Sequence, residues 1–161
     1  MIWLILIAVI VLFLVTVEAQ GGTMKNDNLL AIIAQYARET GVEAGLIYGV
    51  VMTESSGDPN ARNPSDPSAG LMGVTPLIGR YYGGIMGSDS EVLTALLEPN
   101  LNVQAGSRFL AHLRARYAAA MPVVTWIQAY NLGETKFDAG KRVPDYAERV
   151  LKFMVQAPEF A

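Results

Sequence analysis

The chain has 161 residues, 52% of them hydrophobic, with a net charge of −3, no cysteine and a single histidine, His112. This length fits one compact domain with a short additional segment. The composition excludes disulfides and cysteine-ligated zinc, and any triad or metal site that needs histidine would have to be built on His112 alone. The charge balance offers no basic surface for nucleic acid.

The chain begins with an uncharged run, residues 2–17, in which every residue except Thr16 is apolar. A helix of this length would span about 24 Å, somewhat less than the roughly 30 Å hydrocarbon core of a bilayer. We expect residues 1–20 to form a transmembrane anchor. A cleaved signal peptide is the alternative, because residues 17–19 resemble a cleavage site, although no basic residue precedes the run. A buried core helix is a third interpretation, which fits less well with a segment that is apolar on all sides.

The rest of the chain has the pattern of a mainly helical domain, residues 28–161, which follows a glycine-containing linker over residues 21–27. Turn-forming residues predict a loop over 57–70, and polar composition predicts another over 134–143. No stretch alternates with a period of two residues, so we expect at most a small hairpin within 57–84. Residues 71–77 are interpreted as a short apolar segment and 81–84 as a turn. Helices are predicted over 29–40, 42–55, 90–97, 99–120, 122–130 and 144–154.

Glu54 is the strongest candidate for chemistry. Ile47, Val50 and Val51 precede it by seven, four and three residues, so all four side chains share one helix face. Burial on an apolar face disfavours the charged carboxylate and raises its pKa, which allows a carboxyl group to donate a proton near neutral pH. The alternative is a glutamate at a helix end that turns toward solvent and has only a structural role.

Several short motifs occur in a specific order along the chain. They are Glu54-Ser55, Asp58-Pro59-Asn60-Ala61, Gly70-Leu71-Met72, residues 100–106 with Phe109-Leu110, Ala129-Tyr130-Asn131-Leu132-Gly133, and Pro144-Asp145-Tyr146. This order resembles the lytic transglycosylases of the soluble and goose-type lysozyme group, over about residues 28–152. The resemblance implies a lysozyme-like, mainly helical fold with a sugar-binding groove.

The resemblance also implies roles for individual residues. Glu54 would be the single catalytic acid/base, with Tyr146 beside it and Ser55 as its partner at the helix end. The substrate-binding residues carried over are Ser55, Asn63, Gly70, Leu71, Met72, Tyr130, Asn131 and Tyr146. Simpler structural interpretations remain open, because Met72 and Tyr130 are also typical core residues, and Asn131 is typical of a helix end.

Two positions depart from the family pattern. The family usually has glutamine after Gly-Leu-Met, where this chain has Gly73, and often serine before the proline of the long loop, where this chain has Asn63. An amide can still hydrogen-bond an N-acetyl group. These departures concern how the substrate is held and leave the acid in place.

Cleavage of the MurNAc–GlcNAc β-1,4 bond of peptidoglycan is the reaction that the resemblance implies. The 6-hydroxyl of the muramic sugar would be the nucleophile, so Glu54 needs no second carboxylate, no metal and no organic cofactor. A hydrolytic goose-type lysozyme is the alternative, and it needs a second carboxylate about 6.5–9.5 Å from the first. Asp58 and Asp66 are the nearest candidates in sequence. A non-catalytic wall-binding component of an envelope-spanning machine is a third reading.

This substrate would require the catalytic domain to lie on the extracytoplasmic side of the membrane that holds residues 2–17. A tethered domain of this kind suits local opening of the cell wall. The sequence leaves open whether it serves a secretion or conjugation system, a bacteriophage entry or lysis apparatus with a virion membrane, or wall turnover.

Overall fold

In the computed structural model of this protein, the chain is described from residue 26 to residue 160. The anchor predicted over residues 1–20 and nearly all of the linker predicted over residues 21–27 lie outside this range. Within residues 26–160, no helix is both long enough and apolar enough to cross a membrane.

The described part of the chain is mainly helical, which confirms the predicted fold class. Most predicted helices are present with bounds within three residues of those expected. The elements of residues 26–160 are α1 (Asn26–Thr40), α2 (Ala44–Ser55), β1 (Arg62–Asn63), β2 (Ser68–Ala69), α3 (Pro76–Gly83), α4 (Asp89–Ala95), α5 (Pro99–Tyr117), α6 (Val123–Trp126), α7 (Gln128–Leu132), α8 (Glu134–Asp138) and α9 (Pro144–Val155).

The longest of these helices, α5, packs against both α1 and α3 and forms much of the core. It begins at Pro99, and the preceding Glu98 caps it, because the Glu98 carboxylate accepts a hydrogen bond from the Leu101 amide at 2.8 Å. Its inward face includes Leu110 and Leu113, which are fully buried. Burying each such side chain stabilises the fold by roughly 1.5–3 kcal/mol.

A second close contact joins α2 to α9, which run antiparallel. A Cβ atom at Gly49 would lie 2.4 Å from the Val150 carbonyl oxygen, so only glycine allows the two backbones to approach this closely. The carboxyl end of α2, which carries Glu54, therefore meets the amino end of α9, which carries Tyr146.

The small hairpin expected within residues 57–84 is present. Arg62 pairs with Ala69 and Asn63 with Ser68, in antiparallel register. The Asn63 side chain forms the turn, because its Oδ1 accepts a hydrogen bond from the Ser65 amide at 3.0 Å.

The segment after the hairpin corrects one prediction. Residues 76–83, interpreted from sequence as the end of an apolar segment and a turn, form helix α3. Pro76 begins this helix because the first helical position needs no amide hydrogen, and the Thr75 hydroxyl accepts a bond from the Ile78 amide at 3.5 Å. Of the turn predicted over 81–84, only its last residue, Gly84, lies outside the helix, and its φ is +68°.

The chain after Pro122 differs from the prediction in two ways. The helix predicted over 122–130 is divided into α6 and α7, with Ile127 between them. The loop predicted over 134–143 contains helix α8, whose formation depends on tertiary contacts. Its Phe137 is 1% exposed, and its Glu134 is hydrogen-bonded to His112 of α5 at 3.0 Å. His112 thus links two helices of the fold.

Candidate active site

Glu54 lies in the last turn of α2, and its carboxyl group meets α9. The Tyr146 hydroxyl donates a hydrogen bond to Glu54 Oε1 at 2.8 Å. Tyr146 is only 3% exposed, so packing fixes the position of this hydroxyl. These two side chains, 92 residues apart in sequence, form the contact that the resemblance predicts.

Burial raises the pKa of the Glu54 carboxyl above its ordinary value of 4.5, although the hydrogen bond from Tyr146 and the positive charge of Arg149 act in the opposite direction. A raised pKa keeps the carboxyl group protonated closer to neutral pH, as a general acid requires. Burial and the nearby Glu54 carboxylate also raise the pKa values of Tyr130 and Tyr146 well above 10, so both phenols stay neutral.

Ser55 joins the end of α2 to the chain segment that follows the hairpin. Its hydroxyl donates a hydrogen bond to the Leu71 carbonyl at 2.8 Å, and it accepts one from the Gly57 amide at 3.1 Å. The same hydroxyl lies 3.0 Å from the Val51 carbonyl of its own helix. Ser55 therefore positions residues 70–73 relative to Glu54.

Asn102, in the first turn of α5, holds the same segment from the other side. This side chain is fully buried, and its Nδ2 donates to the Ala69 carbonyl at 2.7 Å and the Leu96 carbonyl at 2.8 Å. Its Oδ1 accepts from the Met72 amide at 2.7 Å. A Cβ atom at Gly70 would lie 2.2 Å from Asn102 Nδ2, so this packing requires glycine at position 70.

Leu71 and Met72 are fully buried, so their side chains point into the core and do not line a groove. Their carbonyl groups instead support the site from behind. The Leu71 carbonyl accepts the bond from Ser55, and the Met72 carbonyl accepts one from the Tyr130 hydroxyl at 2.9 Å. Tyr130 thereby links α7 to the segment beside Glu54.

A cavity of about 90 Å³ lies next to the Glu54 carboxyl group. Among residues 26–160, Glu54 is the only acidic residue that lines it. Its polar walls come from the hairpin, and its backbone walls come from the segment that Ser55 and Asn102 hold. The residues that form these walls include Arg62, Asn63, Ser68, Gly70 and Gly73. Among the predicted substrate-binding residues, Asn63 and Gly70 share this cavity with Glu54.

A second cavity, of about 410 Å³, lies on the other side of Tyr146. Asn131, Asp145 and Arg149 line it together with Tyr146. Tyr146 therefore lines the second cavity and also contacts Glu54, which lines the first. The predicted residue Asn131 is exposed at this second cavity.

Asp58 and Asp66 are the two candidates for the second carboxylate that a hydrolase needs. Both are exposed, and neither lines the Glu54 cavity. Asp58 Oδ1 accepts a hydrogen bond from the Asn60 amide at 2.9 Å, which is a turn-forming contact. Asp145 is the acidic residue that lines the second cavity, beside Tyr146.

The part of the chain that forms this site matches a known protein family. Residues 31–149 match the family described as Transglycosylase SLT domain. The chain belongs to this family. The match includes α2 with Glu54, the hairpin, and α9 as far as Arg149.

Curated relatives of this SLT domain carry the name membrane-bound lytic murein transglycosylase C. The relative from Actinobacillus pleuropneumoniae serotype 5b is 31% identical over 142 residues, which are 76% of this chain and 39% of the relative. The relative from Haemophilus ducreyi is 35% identical over 111 residues, which are 65% of this chain and 30% of the relative. The chain therefore spans well under half the length of these relatives.

A solved structure shares the fold of this SLT domain. It is an inactive mutant of the lytic transglycosylase Slt from Pseudomonas aeruginosa, with a TM-score of 0.62 and 18% identity. The match covers 81% of this chain and 25% of that one. It supports the lysozyme-like helical fold expected from the sequence.

Sequence reasoning missed the part that Asn102 plays in this SLT domain. The residue stood within a recognised motif, and an asparagine among apolar residues at core positions of a helix is a signal of a buried polar contact. Sequence reasoning also missed Asp145 and Arg149 of the second cavity, because helical spacing alone does not reveal which exposed side chains border a cavity.

Proposed function

We propose that this chain is a peptidoglycan lytic transglycosylase, and that Glu54 is its single catalytic acid/base. One observation carries the proposal. The Glu54 carboxyl group is desolvated, has one oxygen held by the Tyr146 hydroxyl, and borders a cavity without another acidic residue. Family membership and the names of the curated relatives support the same activity.

The reaction proceeds in two proton transfers. The protonated Glu54 carboxyl donates its proton to the glycosidic oxygen, the bond from the anomeric carbon to that oxygen breaks, and the electron pair stays on the leaving oxygen. The 6-hydroxyl oxygen of the same muramic sugar then bonds to the anomeric carbon, and its proton returns to the Glu54 carboxylate. The carboxyl group ends as it began, and a 1,6-anhydro sugar end is formed without consuming water.

In this proposal, the other predicted residues contact the substrate or hold the site in position. Asn63 and Gly70 border the substrate beside Glu54, and Asn131 borders it beyond Tyr146. Ser55 and Tyr130 act through the backbone carbonyl groups of Leu71 and Met72.

Glu54→Gln tests the assignment of the acid. We expect wall cleavage to fall by at least a factor of about 10²–10⁴, because the amide cannot donate the proton. Glu43→Gln is the matched control, since Glu43 is an exposed residue at the other end of α2 with no side-chain capping bond. Clearing of purified wall suspensions gives the rates, and circular dichroism checks folding. A Glu54→Gln variant that keeps more than about a tenth of the wild-type rate contradicts the assignment.

The mass of the products tests whether the reaction is a lyase reaction. We expect anhydro muropeptides, each lighter by one water than the corresponding hydrolysis product, because no second carboxylate shares the cavity with Glu54. Mass spectrometry of digested sacculi measures this directly. Reducing-end products as the main species would identify a hydrolase, and Asp58→Asn, Asp66→Asn and Asp145→Asn would then show which carboxylate activates water.

The proposal extends to location. The curated relatives are named membrane-bound, and residues 2–17 form an apolar run long enough to associate with a bilayer. We infer that this run holds the catalytic domain at a membrane, on the extracytoplasmic side where peptidoglycan lies. Such a tether suits local opening of the wall by an envelope-spanning or virion assembly.

A further inference from the structure

The second cavity, about 410 Å³ in volume, lies close to the Glu54 carboxyl group. Tyr146 lines this cavity, and its hydroxyl contacts Glu54 Oε1 at 2.8 Å, so the cavity begins within the length of one tyrosine of that carboxyl group. Burial raises the pKa of Glu54, and the positive charge of Arg149, which also lines the cavity, acts in the opposite direction. A group bound in this cavity would therefore lie next to a sugar held at Glu54.

Two guanidinium groups line the cavity, those of Arg142 and Arg149, and both side chains are exposed. Neither forms an ion pair with any other residue of 26–160, although Asp145 lines the same cavity. Arg149 also donates no hydrogen bond within this range. The two positive charges are therefore not neutralised by a carboxylate of the described domain.

Arg142 is held in a fixed orientation by backbone groups. Its Nη1 donates to the Phe137 carbonyl at 2.9 Å and to the Lys141 carbonyl at 2.7 Å, and its guanidinium carbon lies 4.2 Å from the centre of the Phe137 ring. Within residues 26–160 these contacts leave Nε and Nη2 without a hydrogen-bond partner. That edge of a guanidinium presents two parallel N–H groups, the geometry that binds both oxygens of a carboxylate. Arg142 is thus preorganised for such a ligand.

Peptidoglycan contains a ligand of this chemistry. The lactyl group of its muramic sugar carries a stem peptide, which begins with alanine and D-glutamate and therefore has an ionised carboxylate at its second residue. Two extended residues span about 7 Å, so this carboxylate reaches well beyond the sugar ring. The other polar groups of the cavity also suit a peptide, because the Asn131 amide can bond a peptide group and Asp145 can bind an ammonium group further along.

We propose that the second cavity binds the stem peptide of the muramic sugar at the cleaved bond, with Arg142 and Arg149 holding a carboxylate of that peptide. This inference rests on the proposed function and narrows its substrate to glycan strands that carry stem peptides. Because both arginines are exposed, each contact is modest in strength and is weakened by salt.

Arg142 also has a simpler, structural explanation. The Phe137 carbonyl that it contacts belongs to the last turn of α8, where a cation stabilises the end of a helix. Arg149 has no such contact, so Arg149→Gln removes a charge from the cavity without removing a hydrogen bond within residues 26–160. Lys141→Gln is the matched control, because it removes the same charge from a neighbouring exposed residue that does not line the cavity.

Binding of a probe that cannot be cleaved gives the first measurement. The probe is the muramyl dipeptide MurNAc-L-Ala-D-Glu, which has no glycosidic bond, and the reference is the same dipeptide with both carboxyl groups amidated. Ligand-detected NMR with the full chain in detergent gives both Kd values. We expect the wild type to bind the charged dipeptide at least about tenfold more tightly, because only its carboxylates can pair with the two guanidinium groups. Equal Kd values would overturn the proposal.

The variants show whether the cavity is the place of binding. We expect Arg142→Gln and Arg149→Gln each to weaken binding of the charged dipeptide by at least about threefold, while Lys141→Gln stays within about twofold of the wild type. Circular dichroism checks folding, and Arg149→Gln decides the matter if Arg142→Gln folds poorly. An equal loss in Lys141→Gln and Arg149→Gln would mean that only the overall charge attracts the dipeptide, which contradicts the proposal.

Kinetics on soluble glycan strands, with and without stem peptides, give the second measurement. We expect the wild-type kcat/KM to be at least about threefold higher on strands that carry the peptide, and this ratio to fall toward one in Arg149→Gln. The ratio between the two substrates is the useful quantity, because the charge of Arg149 also acts on the pKa of Glu54 and that effect is common to both. An unchanged ratio in Arg149→Gln would overturn the assignment of this arginine.

The two measurements separate this inference from the proposed function. If the wild type does not cleave peptidoglycan, the proposed function fails, and the dipeptide Kd values still decide whether the cavity binds a peptide carboxylate. If the wild type cleaves peptidoglycan but binds the charged and amidated dipeptides equally, this inference alone fails.

Discussion

Two tyrosine hydroxyls hold the proposed catalytic centre at different points. Tyr146 donates its hydrogen bond to the Glu54 carboxyl itself, whereas Tyr130 donates to the Met72 carbonyl behind it. The first contact favours the carboxylate and opposes the effect of burial on the pKa of Glu54. The balance between these opposing effects determines the pH range in which the acid is protonated.

Tyr146→Phe should therefore change the pH dependence of cleavage. Without the hydroxyl the pKa of Glu54 rises further, and since a general acid must be protonated, the alkaline limb of the pH–rate profile moves to higher pH. We also expect the rate at the optimum to fall by about 10- to 100-fold, because a hydrogen bond to a charged group contributes about 1.5–3 kcal/mol. Rate measurements from pH 4 to 9 check both effects.

Tyr130→Phe is the control for this prediction. It removes a hydroxyl of the same kind that bonds to a backbone carbonyl and leaves the hydrogen bond to Glu54 intact. The alkaline limb should stay where it is in the wild type. An equal displacement of the limb in both variants would mean that Tyr146 acts only through packing.

At the scale of elements, the segment between the hairpin and α3 gives the site its shape. It has almost no regular structure, yet its position is fixed by side chains of two helices, Ser55 from α2 and Asn102 from α5. The buried Asn102 satisfies one amide and two carbonyl groups that would otherwise lack partners. The rigidity of this segment therefore comes from α5.

Asn102→Ala should destabilise the fold by at least about 3 kcal/mol, since each buried polar group left unpaired costs roughly 1–3 kcal/mol. Asn100→Ala, at an exposed residue two positions earlier in α5 whose Oδ1 accepts a long hydrogen bond from Tyr36 at 3.4 Å, should cost less than about 1 kcal/mol. Urea unfolding monitored by tryptophan fluorescence measures both variants. A loss of less than about 1 kcal/mol in Asn102→Ala would show that the segment is held in another way.

The same elements show what the sequence can predict. The spacing of Ile47, Val50 and Val51 correctly indicates the face of α2 that carries Glu54, because a long helix repeats its pattern over several turns. Helix α8 is missed because its five residues carry one buried anchor, Phe137, and its ion pairs reach residues about 20 positions away. Helix α3 is missed because the sequence pattern interprets Pro76 as the end of the apolar segment, although proline also begins helices.

At the scale of the whole molecule, the described domain contains Glu54 and the two cavities near it, while the predicted anchor precedes this domain in sequence. The chain spans 39% of the length of the Actinobacillus pleuropneumoniae relative. No separate wall-binding domain is evident in residues 26–160, which form one helical unit. In the proposed arrangement, the apolar run at residues 2–17 holds the domain that carries Glu54 at a membrane.

Deleting residues 1–20 tests this arrangement. We expect the full chain in the membrane fraction and the shortened chain in the soluble fraction. The shortened chain should retain its rate on wall fragments, because it keeps Glu54, Tyr146 and the residues that line the two cavities. Fractionation followed by immunoblotting measures the distribution. A mature chain that begins at Gln20, found by mass spectrometry, would show that the run is a cleaved signal instead.

The pairing of Glu54 with Tyr146 also affects when activity begins during biosynthesis. Glu54 is synthesised well before Tyr146. The Tyr146 hydroxyl that holds the Glu54 carboxyl lies 92 residues later, on the last helix of the described domain. A nascent or truncated chain that lacks α9 carries the acid without its support and without the packing surface that α9 gives α2. We therefore expect the proposed activity to begin only when synthesis has reached the end of α9.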